Sequence, residues 1–407
     1  MKINLVVERQ WHIAPHVAAM EEAGWDYTLF GGFPPSRYAS LGIPASRIKS
    51  FSLPALWNFA AGRLKLPKAL QVDAPKLLAR WVAGQVKAPS LVVSYSTVYQ
   101  HLFPLIARRI SAGSQTAPIL VIERGSTHPE AYFHAIQRGK REAGFSWSSQ
   151  LPRDIEAEVE AGTLAHFVVA GSDMIAESYR VRGVPRERIL TIPYGTDAEL
   201  FDYRARTEST DPTIHIACVG YIGVRKGIGR LIRIAEWAER RGIPIRIHLV
   251  GPLEAETPVL LAGRSLPMEV HGVKKGRDLV ALLHSCDLYC LPSYEEGFGI
   301  SVIEAMATGL PAVVSEETGA REAITPGLDG VILPDYRDED LDALLRPILQ
   351  NRELRLRMGI AAREKVVNGY TNAHYARCLR SEYERMFSII EAAPAGLPNI
   401  SEMIEKN

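Results

Sequence analysis

Pro292-Ser293-Tyr294-Glu295-Glu296-Gly297-Phe298-Gly299-Ile300-Ser301-Val302-Ile303-Glu304-Ala305-Met306-Ala307-Thr308-Gly309-Leu310-Pro311 follows a short apolar run ending at Leu291. The order is a strand, a glycine-containing loop, and an amphipathic helix from about Ile300, the unit from which parallel sheets are built. Glu296 precedes the helix and Glu304 lies inside it, with the backbone donors of the helix start between them. A helix N-terminus favours an anion, and a carboxylate accepts bidentately from vicinal hydroxyls. The pair therefore suits a ligand that joins sugar, diphosphate and ribose. Taken as isolated charges, the same glutamates also read as solvated side chains.

Upstream, Cys218-Val219-Gly220-Tyr221-Ile222-Gly223-Val224-Arg225-Lys226-Gly227 repeats the design at another strand end. Its glycines let backbone N–H groups approach a ligand, and Arg225 and Lys226 add two positive charges where a helical run begins. This is a phosphate site by chemistry, although Lys226 is followed by Gly227 and the Walker pattern is not met. A structural turn with two exposed cations is the competing reading.

Working outward, short apolar runs alternate with amphipathic stretches along the whole chain, which predicts an α/β protein built twice. Strands are expected at residues 3–7, 27–30, 91–95, 119–122, 167–170 and 189–192, and again at 214–219, 245–250, 268–271, 288–291, 312–315 and 331–333. Two doubly wound units leave a cleft between their sheet edges, where such folds bind ligands. A polar stretch from Arg204 to Pro212 reads as the linker. Helices are expected at 338–350, 352–367 and 371–390. The last carries Tyr375, Leu379, Tyr383 and Phe387 on one face, so that face is buried.

At 407 residues, 47% hydrophobic and 23% charged, the chain can bury two cores. No run approaches the roughly 18 apolar residues of a membrane-spanning helix. Four cysteines without a CxxC pair indicate neither a disulfide framework nor a zinc site, and fit reduced thiols in a cytoplasmic protein. The net charge of +1 hides an asymmetry: residues 1–153 carry 18 Lys and Arg against 8 Asp and Glu, and the remainder 29 against 38. Trp57, Arg63, Lys65, Lys68, Lys76, Arg80, Trp81 and Lys87 share a segment whose single acid from Phe51 to Ser90 is Asp73. An anionic membrane surface attracts such a segment, and a solvated helical face explains it equally. No nucleic-acid motif accompanies the charge.

The Glu-x7-Glu segment, GVRKG after a strand, and IPYGTDAELF at the junction together resemble the retaining glycosyltransferases of family 4, glycosyl transferases group 1, which have the GT-B fold. The resemblance implies two Rossmann-like domains facing a central cleft, with C-terminal helices crossing back to the first domain. It places an acceptor-side domain at 1–195, a linker at 196–212, a nucleotide-sugar-binding domain at 213–370, a returning helix at 371–391 and a tail at 392–407. The implied reaction moves a hexose-type sugar from a UDP-sugar or GDP-mannose donor to a glycan or lipid-linked acceptor, with no metal and no cofactor, in the cytoplasm or peripherally at the inner membrane face.

By the same resemblance, Arg225 and Lys226 clamp the donor diphosphate, with Gly220 and Gly223 shaping their loop. Glu304 accepts from ribose hydroxyls and Glu296 from the donor sugar. The amides of Phe298 and Gly299, after Gly297, approach the sugar, and those of Ser301 and Val302 hold phosphate. Gly272, Val273 and Lys274 sit where the family holds the base. Gly220 is followed by Tyr221, so the second positive charge falls to Arg225. The loop after the first strand reads Glu8-Arg9-Gln10-Trp11-His12-Ile13-Ala14-Pro15-His16, without the family's glycine pair. The first-domain histidine facing the sugar is His128, in Glu123-Arg124-Gly125-Ser126-Thr127-His128, with His12 and His16 as rivals. A GT-B epimerase or phosphorylase, and a non-catalytic nucleotide-sugar-binding scaffold, are the alternatives.

Overall fold

The structure, a computed structural model, describes residues 1–8, 13–95, 97–111, 117–205, 211–393 and 396–404. The first half forms a parallel sheet of β1 (Lys2–Val7), β2 (Tyr27–Gly31), β3 (Ile48–Ser50), β4 (Ser90–Tyr95), β5 (Ile119–Arg124), β6 (Phe167–Ala170) and β7 (Ile189–Thr191), in the order β3-β2-β1-β4-β5-β6-β7. The second half forms another from β8 (Ile214–Val219), β9 (Ile245–Val250), β10 (Met268–Gly272), β11 (Leu288–Leu291), β12 (Ala312–Ser315) and β13 (Gly330–Leu333), in the order β10-β9-β8-β11-β12-β13. Strand order reverses between β1 and β4 and between β8 and β11, so each sheet has a crevice at the carboxyl ends of those strands.

The strands form where continuous apolar runs allow burial on both faces; Leu91, Val92 and Val93 of β4 are all fully buried. The strand absent from the sequence reading is β3. Its three residues, Ile-Lys-Ser, carry no apolar run and lie partly exposed at the sheet edge. The helical stretch after β13 is less regular than the periodicity indicated. It divides into a turn at Asp338–Asp340, a π-type turn at Leu341–Leu345 and a short helix at Arg346–Gln350.

The helix Asn372–Glu391 returns to the first half. Tyr375, Leu379, Tyr383 and Met386 are buried in one core with Ile13, Val17 and Met20 of the helix Ile13–Glu22. At its centre, fully buried His16 meets the hydroxyls of Tyr95 (2.9 Å), Tyr375 (3.1 Å) and Tyr383 (3.3 Å), with Glu123 at 3.3 Å. Phe387 is only partly buried; it meets Tyr383 and Trp25 edge-on.

The chain crosses between halves at two places, and these lie side by side. Thr196 pairs with Thr371: the Thr196 amide donates to Tyr370 O (2.9 Å) and the Asn372 amide to Thr196 O (3.0 Å). A side chain on Gly195 would collide with the Thr371 backbone, so the two strands touch. Residues 206–210 of the expected linker lie outside the described residues. The tail is tied down more firmly than its composition indicated, because Ile400 is buried and its amide donates to Ala165 O at 2.8 Å.

Truncating Leu379, buried where the returning helix enters the first core, to alanine removes its Cγ and both Cδ methyl groups from a packed site. Leu379→Ala is expected to cost about 2–5 kcal/mol, read as a lowered urea midpoint for the first half.

Candidate functional site

The loop after β8 and the loop after β11 meet at the crevice of the second sheet. Gly227 sits in the left-handed region (φ 77°) at the start of the helix Ile228–Arg240, and a Cβ there would run into Pro292 O. Gly299 (φ 95°) likewise starts the helix Ile300–Ala307. Neither helix has an acidic residue in its first turn, so the positive ends of both remain available to an anion.

Between these helix starts the structure brings Arg225, Lys226 and Glu296 together. Lys226 Nζ and Arg225 Nη1 (3.1 Å) both bond Glu296 Oε2, and Arg225 Nη1 also donates to Glu295 O at 2.9 Å. Lys226 is buried, its stem passing over Gly220. Burial works against ionisation of Glu296, but Lys226 and Arg225 more than offset it and hold the carboxyl below its ordinary range. Arg225 and Lys226 thus converge on one carboxylate oxygen, with Glu295 Oε2 3.5 Å from the same Arg225 nitrogen, and charge-assisted bonds of this kind are ones a phosphate oxygen can also accept.

Glu304 faces the opposite situation. Among the described residues its carboxylate has no hydrogen-bond or ion-pair partner, and burial pushes it up to about 7. Such a group gains most from a ligand that donates hydroxyl hydrogen bonds. Ser301, on the same helix, accepts from Tyr289 OH (2.7 Å). The Val302 amide donates to Gly299 O (2.8 Å) in the tight first turn that Gly299 permits. The Ser301 amide lies in the first turn of the same helix. Phe298 buries its ring against Tyr194 and Tyr370, so only its backbone can serve a ligand. Gly223 packs on the Glu254 side chain. Gly272 ends β10 and accepts from the Gly251 amide (2.7 Å), and Val273 and Lys274 are exposed beyond it.

The first half reaches this site through the loop after β5. Thr127 donates its amide (2.9 Å) and hydroxyl (3.2 Å) to Glu295 Oε1. Ser172 donates to Gly297 O (2.6 Å), and a Cβ on Gly297 would collide with Gly125 O. Glu295 is thus the residue the sequence reading passed over. It is almost fully buried, its Oε2 lacks a hydrogen bond, and burial raises its pKa against the pull of Arg225 3.5 Å away. Its only sequence signal is adjacency to Glu296. Arg124, paired with buried Glu158, donates to Thr127 O (2.8 Å) and so fixes the loop that Glu295 grips.

His128 caps the helix Pro129–Glu142 and packs edge-on against Tyr179 (5.1 Å between ring centres). It lines a small cavity of about 160 Å³ with Glu158, Arg182 and Ile400. Burial, reinforced by Arg182 and Arg124, pulls its imidazole down to about 3, so it stays neutral. The structure sets it in the same loop as Thr127 and packs its ring against Tyr179, outside the Lys226–Glu296 group. His16 is removed as a rival by its burial among the tyrosines. His12 lies outside the described residues.

Residues 201–365, which include both loops, match glycosyl transferases group 1. Within and beyond the group 1 segment, the chain is 28% identical over 219 residues to the amylovoran biosynthesis glycosyltransferase AmsK of Erwinia amylovora, covering 51% of this chain and 52% of that protein. It is 25% identical over 403 residues to the MMP alpha-(1->4)-mannosyltransferase of Mycolicibacterium hassiacum, covering 92% and 93%. The chain thus spans about half the length of AmsK and most of the mannosyltransferase. The structure of Anabaena Alr3699/HepE in complex with UDP-glucose superposes with a TM-score of 0.65 at 16% identity, over 94% of this chain and 99% of that one. The fold around the group 1 segment is GT-B, two α/β units facing across the crevice.

Because the pKa of Glu304 is raised by folding, its ionisation opposes the native state. The penalty is absent below about pH 4.5 and complete above about pH 7. Glu304→Gln should therefore raise stability by about 1–3 kcal/mol at pH 8 and leave it near wild type at acid pH, as thermal scans at the two pH values will show.

Proposed function

We propose that this chain is a retaining glycosyltransferase that moves a hexose-type sugar from a nucleotide-diphosphate donor to a glycan or lipid-linked acceptor. The observation that carries the proposal is the pair Arg225 and Lys226 held on Glu296 between two helix starts. The group 1 match over those residues, and relatives named for glycosyl transfer, support it. A donor diphosphate displaces the Glu296 carboxylate from the two cations and accepts their hydrogen bonds. Glu296 is then free to take hydroxyls of the donor sugar, and Glu304 those of the ribose. Gly272, Val273 and Lys274 border the base.

In the step itself, the bond from the anomeric carbon to the diphosphate oxygen breaks. The acceptor oxygen bonds the same carbon on the same face, and its proton passes to the leaving oxygen. Arg225 and Lys226 stabilise the charge that develops there, the role a divalent metal would otherwise fill. The contacts of Thr127, Ser172 and Gly125 with the 295–297 loop bring the first half over the site, which limits access of water.

The acceptor side is proposed to meet an anionic membrane. The helix Leu53–Arg63 begins directly after β3, at the same sheet end as the Thr127 loop, and exposes Leu53, Leu56, Trp57 and Phe59. Basic residues surround it, and no described helix is long and apolar enough to cross a membrane. A half-exposed tryptophan with neighbouring cations is suited to lie at a headgroup surface.

Calorimetry with UDP, GDP, ADP and TDP, without metal, is expected to find one nucleotide that binds wild type and binds Lys226→Ala about 10–100-fold more weakly, the loss of a charge-assisted contact. Glu296→Gln should lower turnover about 100-fold. Absence of binding by all four nucleotides would overturn the proposed donor site. Trp57→Ser/Phe59→Ser should reduce sedimentation with phosphatidylglycerol vesicles while leaving nucleotide affinity unchanged; equal sedimentation would remove the membrane from the proposal.

A further inference from the structure

We propose that His248, His271 and Glu269 form a binding site for one zinc-class transition-metal ion at the outer edge of the second sheet, with His215 orienting His248. The residues come from three adjacent strands, β8, β9 and β10. Glu269 is paired in register with His248, and His271 falls at the register irregularity two residues further along β10, where its ring meets that of His248. Their ligand atoms converge. His248 Nδ1 is 2.8 Å from His271 Nε2, and Glu269 oxygens lie 3.9 Å from the first and 3.7 Å from the second. All three ligand atoms fall within 4.8 Å of one another.

Two imidazoles and one carboxylate are a recurrent zinc donor set that leaves a fourth position open. Here that position faces solvent, since Glu269 is half exposed and His271 partly so. Ligand atoms around zinc stand about 3.3–3.5 Å apart for bond lengths near 2.0–2.2 Å, so modest side-chain rotation brings these atoms to the required spacing. The far side of His248 supplies the second argument. Its Nε2 meets His215 Nδ1 at 2.8 Å, and the two rings stack 5.1 Å apart at 19°. Metal-bound histidines characteristically engage their other nitrogen in this way, which fixes the tautomer and the ring plane. With Nε2–H given to His215, the lone pair of His248 Nδ1 points at His271 Nε2. Either a proton or a metal ion must then lie between those two nitrogens.

The site uses none of the residues assigned to the donor. It would nevertheless clamp β10, an edge strand with a register irregularity between Val270 and Gly272, to β9 beside it. No pattern of spacing along the chain reveals it, because the ligands are gathered by strand pairing.

The test uses the full chain without a histidine tag. Titration with ZnCl2 by calorimetry is expected to give one site per chain, and CoCl2 to give the visible absorption of a low-coordinate Co2+ complex. His248→Gln and His271→Gln should each weaken Zn2+ binding at least about 10-fold, and His215→Ala by about 10-fold through lost orientation. Glu269→Gln, at an exposed position, should also weaken it about 10-fold without altering the metal-free circular dichroism or urea midpoint. The proposal is overturned if wild type takes up no stoichiometric metal, or if uptake is unchanged in Glu269→Gln and in the His248→Gln/His271→Gln double variant.

Discussion

Everything at the crevice depends on the absence of a side chain at Gly227. Because its Cα lies against Pro292 O, the loop that carries Arg225 and Lys226 is interlocked with the loop that carries Glu295 and Glu296. The left-handed backbone at Gly227 then starts one helix and that at Gly299 starts the other, so two positive helix ends and two cations are delivered to one small volume. The Glu296 carboxylate keeps the cations from repelling each other. The fold itself holds it there, on both cations at once.

The neighbouring glutamates show how environment separates identical groups. Glu296 is ionised by its two partners, Glu295 is buried with one oxygen on Thr127, and Glu304 has no partner and is pushed up to about 7. Three carboxyls within ten residues are thus a charge acceptor, a clasp between the halves and an unpaired group held high by burial. Arg230 belongs to the same economy of charge. It lies over the Tyr294 ring at 3.9 Å, donates to Ser293 O (2.8 Å), and with Arg138 grips Glu317.

The sheet content was legible because buried parallel strands must be continuous apolar runs, and the β–loop–α units around Gly227 and Gly299 follow from glycine placement. The strand β3 was not legible, since three residues at an edge need no such run. The grouping of Arg225, Lys226 and Glu296 was anticipated by chemistry and family pattern, but their mutual ion pairing was not, because the sequence does not show which partner a cation keeps before a ligand arrives. Glu295 escaped notice for a different reason: its role depends on Thr127, 168 residues away. His128 illustrates the converse. A histidine after a strand end looks like a site residue, and packing shows its ring edge-on to Tyr179 while its neighbour Thr127 holds Glu295.

The two crossings of the chain, bonded through Thr196 and Thr371, have a kinematic consequence. Two covalent connections set far apart would lock the halves together; two set side by side behave as a single pivot. Any separation of the halves then turns about an axis near those threonines and breaks the Thr127–Glu295 and Ser172–Gly297 contacts. Backbone rotations at residues 195–196 and 370–372 are thus enough to change how the first half sits on the 295–297 loop, without any rearrangement inside either sheet.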